Sequence, residues 1–261
     1  MLLFEYKQYI MYRVINQRKT SGSLFHYAHF ICDCLFPEII NEFYSHKAIV
    51  RIKNISQTIG NFSIIYEEVM KIKNYEILEE DFYCLETKIL EYKNKEEYID
   101  KKYFDKFREY IFSIYKINHY DKTYPEVILI KRGGRINLID DEYLKKINTN
   151  ITTGKERREI NNIDKLDKYL QKLYEEKYKS IYLENMPFEE QIKYFNNANL
   201  IICAHGACMA NMFFCKEKTK IIEITCGIKW DFFDNISKIL NLNHLKCVKN
   251  SFNEIINLVI I

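Results

Sequence analysis

The segment LIICAHGACMANMFF (Leu200 to Phe214) concentrates the chemistry of this chain. Its uninterrupted apolar start has the character of a buried strand, and an apolar helix follows His205-Gly206-Ala207 at once. Amides at the start of that helix would face the space beyond the strand, and Gly206 would let a backbone or a phosphate come close. The geometry suits a diphosphate. His205 could then donate to a phosphate or sugar oxygen, while Asn211 could either hold the loop or touch the ligand. The alternative is an ordinary strand-to-helix turn in which His205 caps or packs, and HGA alone does not decide between them.

Three further groups fall where such a site would need them. In VILIKRGGRINLIDDEYL (Val127 to Leu144), Arg132, Gly133, Gly134 and Arg135 directly follow an apolar strand. Guanidinium forks match phosphate oxygens and stay charged, although a basic turn paired with Asp140, Asp141 or Glu142 would read the same. Glu223 closes KIIEI, where an acid can take a ribose hydroxyl pair or lie buried beside an arginine. In HYAHFICD, His26, His29 and Asp33 recur three and four residues apart, so they could share a helix face. An imidazole beside a carboxylate over a cleft is a general base; a polar stripe is the plain alternative, and a metal site lacks a fourth ligand. No Walker loop, HExxH, EF-hand loop or GxGxxG occurs, so kinase, zinc-protease and nicotinamide chemistry find no support; an α/β hydrolase is a third, weaker reading, without a GxSxG elbow.

These residues must be carried by regular elements. From Pro125 onward, short β-branched runs (VILIK, SIYLE, LIICA, KIIEI, HLKCV) alternate with amphipathic stretches around 155–178, after Pro187, from Ala207, around 231–240 and from Ser251. That alternation predicts parallel βαβ units in a doubly wound α/β sheet, with ligands outside the carboxyl ends of its strands. The first half offers a helix through Ser23 to Ile39, a strand at Ala48 to Ile52, strands near FSIIY and FYCLE, and a charged helix from about Lys95 to Ile117. With a linker at Asn118 to Tyr124, the organisation is two lobes, 1–122 and 123–261, with a cleft between them.

Composition sets the class. Of 261 residues, 48% are hydrophobic and 29% charged, a balance that buries cores and excludes disordered or collagenous chains. A net charge of +3 is too small for a nucleic-acid binder driven by phosphate neutralisation. Glu5, Lys7 and Arg13 interrupt the N-terminal apolar runs, so no targeting segment is expected, and the uncharged stretch between Lys193 and Lys216 carries too many Asn for a membrane span. The 8 cysteines form no CxxC pair, as in reduced cytoplasmic proteins.

Taken together these segments resemble the family 61 glycosyltransferases, which include plant xylan arabinosyl- and xylosyltransferases and animal enzymes that add O-linked N-acetylglucosamine to EGF repeats or extend O-mannose. Gln191, Ala198, His205, Gly206, Ala207, Asn211, Phe214 and Glu223 fit the family's pattern across Phe188 to Ile224. Arg132, Arg135 and Glu142 look like its spaced arginines and following acid, and His29 with Asp33 is similar to its early His and Asp. The resemblance implies a GT-B architecture of two Rossmann-like lobes with parallel sheets, the N-terminal one reduced. It implies an inverting transfer from a UDP-sugar to a glycan or protein hydroxyl, with no metal or other cofactor. Arg132, Arg135, His205, Gly206, Ala207, Asn211 and Glu223 would bind the donor, and Asp33 or His29 would act as base. Expected partners are a nucleotide sugar, a glycan or glycoprotein acceptor and, conceivably, a second copy as a homodimer. A non-catalytic nucleotide-sugar or glycan-binding relative of the same fold is the alternative. A cytoplasmic enzyme with this AT-rich codon signature would suit a large DNA virus or a bacterium building surface polysaccharide.

Overall fold

The computed structural model describes residues 11–15, 27–36, 39–40, 48–52, 62–70, 100–117, 121–133 and 158–260. The apolar runs of the second half form a five-stranded, all-parallel sheet: β3 (Val127–Lys131), β4 (Tyr178–Tyr182), β5 (Leu200–Ala204), β6 (Lys220–Ile224) and β7 (Asn243–Cys247), in the order β4-β3-β5-β6-β7. Alternate side chains point to opposite faces. Leu129, Ile202 and Ile222 pack beneath α4 (Ile163–Tyr174) and α7 (Phe252–Ile260), while Ile130, Ile201 and Ile221 pack beneath α5 (Phe188–Asn197) and α6 (Phe232–Ile239). Both faces are therefore covered, as parallel sheets require.

The topology places the site. The chain leaves β3 for β4 on one side and returns through α5 to β5 on the other, so strand order reverses between β3 and β5. Connections diverge there and leave a crevice at the carboxyl edge. Register sets what meets in it. Ile130 pairs with Cys203 and Lys131 with Tyr182, so two more residues along the strands bring Arg132 level with His205 and Gly133 level with Glu184.

In the first half, β1 (Met11–Ile15) pairs in parallel with β2 (Ala48–Ile52). Between them α1 (Tyr27–His29) continues as a π-helical segment, Phe30–Leu35. Two more helices follow, α2 (Phe62–Met70) and α3 (Lys101–Tyr115), the latter capped by Asp100, whose carboxylate accepts from the Lys102 amide at 3.1 Å. These helices share one core with the sheet. After β5 the chain enters a 3₁₀ segment, Ala207–Phe214, and Phe213 packs against Phe36, Phe104 and Phe107 with ring centroids 5.2, 5.2 and 5.3 Å away.

Several expectations need correction. FSIIY opens helix α2 and is not a strand: Phe62, Tyr66 and Val69 are buried at helical spacing, which a short apolar run does not distinguish from a strand. The strands expected at SIYLE and HLKCV begin two and one residues earlier, at Tyr178 and Asn243. The helix expected from Ala207 is 3₁₀, and β1 had no sequence signal. FYCLE lies outside the described residues. No described helix is long and apolar enough to cross a membrane, and the seven described cysteines are free thiols.

Phe213 is fully buried among three rings on the segment that opens at Gly206. Phe213→Ala should lower the free energy of unfolding by about 3–5 kcal/mol, read by urea titration. A loss below about 1 kcal/mol would mean that the first half does not anchor there.

Candidate functional site

At the crevice two guanidiniums converge on one backbone carbonyl. Arg132 donates from Nη2 to the His205 oxygen at 2.9 Å, and Arg158 donates from Nη1 to the same oxygen at 3.0 Å. Gly206 makes this possible: a Cβ there would lie 1.8 Å from Arg132 Nη2 and 3.2 Å from Arg158 Nη1. The close approach expected at Gly206 is thus made by arginine. Sequence reading found Arg132, His205 and Gly206 but missed Arg158. A topological signal existed, since α4 runs back antiparallel to β3 and the residues leading into it must lie at the carboxyl edge.

Beneath the carbonyl, the His205 ring enters a buried chain of charges. Its Nδ1 lies 2.5 Å from Glu223 Oε1, and Glu223 Oε2 lies 2.8 Å from His244 Nε2, off the ideal hydrogen-bond direction. His244 Nδ1 is 3.4 Å from Asp234 Oδ1, and the other Asp234 oxygen pairs with Lys246. Glu223 is only 1% exposed. Burial alone would raise its carboxyl, but the hydrogen bonds and charge of His205 and His244 outweigh that and hold it at about 2. With both oxygens facing imidazoles, Glu223 has none open to a ribose in this geometry; it positions His205. The reading from sequence missed His244 and Asp234. Only register reveals His244, which pairs with Ile221, two residues before Glu223 on the same sheet face.

Asn211 is fully buried and acts as a clasp. It accepts from the Tyr27 hydroxyl at 2.5 Å and donates to Gln191 Oε1 at 3.0 Å, and Gln191 in turn donates to the Met186 carbonyl at 3.0 Å. Burial pushes the Tyr27 phenol well above its ordinary value, so it remains a donor. Of the two roles open to Asn211, its bonds are those of a residue that holds the loop. The clasp ties α1 to the segment that begins at Ala207, and α1 ends with the half-buried His29. Asp33 falls in the π-helical segment; its side chain, together with His26, Gly134, Arg135 and Glu142, lies outside the described residues.

Just past Gly206, the Cys208 thiol is held below its ordinary value, first by a hydrogen bond from Cys203 and against its burial. Arg132 lowers it further while Glu184 opposes, so Arg132, Cys208 and Glu184 share one electrostatic neighbourhood. Among the described residues, no group of three or more His, Cys, Asp or Glu side chains is arranged to hold a metal ion.

Because Glu223 moves from its ordinary 4.5 to about 2 on folding, its charged form stabilises the fold above about pH 4.5. That stabilisation disappears as the pH falls toward 2. Glu223→Gln should lower stability at neutral pH and flatten the acid limb of the stability curve, measured by urea titration between about pH 6 and about pH 3. An unchanged acid limb would show that the carboxylate is not held by its imidazoles.

A family model described as Glycosyltransferase 61 matches residues 27–222, about three quarters of the chain, from the helix that carries His29 through β3, Arg158, β5 and most of β6. No curated protein matches the chain. The carboxyl-edge crevice with its two arginines thus lies inside the matched region, and the chain belongs to the glycosyltransferase 61 family, whose members transfer sugars.

Proposed function

We propose that the protein is an inverting glycosyltransferase that moves a sugar from a UDP-sugar to a hydroxyl of a glycan or protein, without a metal. The observation that supports this most is the convergence of Arg132 and Arg158 at the strand-order reversal, beside a glycine. In an inverting transfer the acceptor oxygen bonds to the anomeric carbon from one face while the bond to the diphosphate breaks on the other. Negative charge then grows on the leaving oxygen. Fixed guanidiniums beside it stabilise that charge without reorganising during the reaction. A carbonyl contact orients each fork and leaves its charge intact.

His205 adds a second element. A carboxylate at Nδ1 assigns that nitrogen its proton and fixes the ring's orientation. The ring is buried, so its part is to hold the His205 carbonyl on which both guanidiniums rest. The acceptor hydroxyl must lose its proton, and the base is assigned to Asp33 or His29 on the helix clasped to the far side of the Ala207–Phe214 segment. Arg135, beyond the strand that delivers Arg132, would add a third cation. The parallel β1–β2 pair with a helix between its strands supports a reduced second lobe and hence a GT-B arrangement. Free thiols agree with a cytoplasmic site of action.

Arg132→Ala should abolish sugar transfer measured with EDTA present, and Arg158→Ala should reduce it about 10–100-fold. Retention of full activity in Arg132→Ala contradicts the donor site. Gly206→Ala tests the same contact from the other side. The added methyl meets the far end of a flexible side chain, so the fold should survive in thermal melts while the displaced Arg132 weakens UDP binding about tenfold.

A further inference from the structure

Glu184 follows β4 by two residues and stands level with Gly133, the neighbour of Arg132. Its Oε1 accepts the Gly133 amide at 2.9 Å. Its Oε2 is closed to water and has no hydrogen-bond partner among the described residues. The carboxylate lies flat against the glycine: a Cβ on Gly133 would be 3.2 Å from both Cδ and Oε2 of Glu184. A buried acceptor without a donor costs stability, and the cost is greater for a charged oxygen. Such a group is explained when a ligand supplies the missing donor.

We propose that Glu184 accepts a hydroxyl hydrogen of the nucleotide sugar, an inference that rests on the donor site described above. The chemistry of its neighbours selects the ligand atom. Arg132 and Arg158 beside it suit phosphate, which a carboxylate repels, so the atom at Glu184 must be a donor. Glu223, at the end of β6, is closed off by His205 and His244. The carboxylate rotor is soft and the side chain as a whole is half-exposed, so a turn about its last bond brings Oε2 to the open side. One oxygen is held by the Gly133 amide and the other is left unsatisfied.

Calorimetric titration with UDP, 2′-deoxy-UDP and UDP-glucose, paired with thermal melts, tests this on wild type, Glu184→Gln and Gly133→Ala. Gln keeps an oxygen for the Gly133 amide and puts an NH₂ where the unsatisfied acceptor was. Glu184→Gln is expected to weaken binding about tenfold or more while the apo melting temperature stays level or rises. Gly133→Ala, which keeps the carboxylate but pushes it aside, should weaken binding in the same direction. Weaker UDP binding, with the preference for UDP over 2′-deoxy-UDP lost, assigns the hydroxyl to ribose; weaker binding of UDP-glucose alone assigns it to the sugar. Equal affinity of wild type and Glu184→Gln for every probe overturns the inference and leaves the donor site standing, as does a lower melting temperature in Glu184→Gln with affinity intact. No binding of any probe to wild type overturns the donor site and this inference with it.

Discussion

Strand order in the parallel sheet reverses between β3 and β5, and the functional edge follows from that reversal. Neighbouring parallel strands are normally bridged at their carboxyl ends by connections running to one side. Where the connections diverge, backbone and side chains from two strands are left facing an open crevice. The register of the sheet then decides which residues meet, and here it aligns Glu184, Gly133, Arg132 and His205 across three adjacent strands. Arg158 reaches the same place because a crossover helix must begin at that edge. Charge is thus concentrated by topology, with no need for the residues to be close in sequence.

The second constraint is the buried carboxylate of Glu223. A charge inside a sheet is tolerated only when its partners replace water, and two imidazoles do so here, one of them facing the Asp234–Lys246 pair in turn. Their effect on function is indirect. They fix the His205 ring, and the His205 carbonyl fixes two arginines, so the carboxyl edge of the sheet inherits the rigidity of the core beneath it. The Tyr27–Asn211–Gln191 clasp ties the first half to the same segment.

Much of this was legible in the sequence because strongly apolar, β-branched runs such as VILIK, LIICA and KIIEI have few alternatives, and their spacing demands parallel crossovers. The pairing of Arg132 with His205 could be anticipated from strand ends alone. FSIIY was misread because five residues, four of them apolar, carry too little periodicity to separate a strand from the first turn of a helix. His244 and Asp234 were invisible for another reason: they reach Glu223 through sheet pairing and a helix start, and the sequence records neither distance. Glu223 itself was placed correctly at a strand end, but the groups opposite it, His205 and His244, are histidines whose pairing with it the sequence did not announce. Asn211 carries the same lesson, since its bonds to Tyr27 and Gln191 come from distant parts of the chain.

The central claim is that the crevice between β3 and β5 holds the diphosphate of a nucleotide sugar. Ligand-observed NMR of the chain with UDP, UDP-glucose, UDP-N-acetylglucosamine, UDP-xylose and GDP-mannose, in EDTA, tests it most directly. The account predicts metal-independent binding of a UDP-sugar that His205→Ala and Arg158→Ala both weaken. Absence of binding to every member of that panel, or binding that survives in both variants, would contradict it.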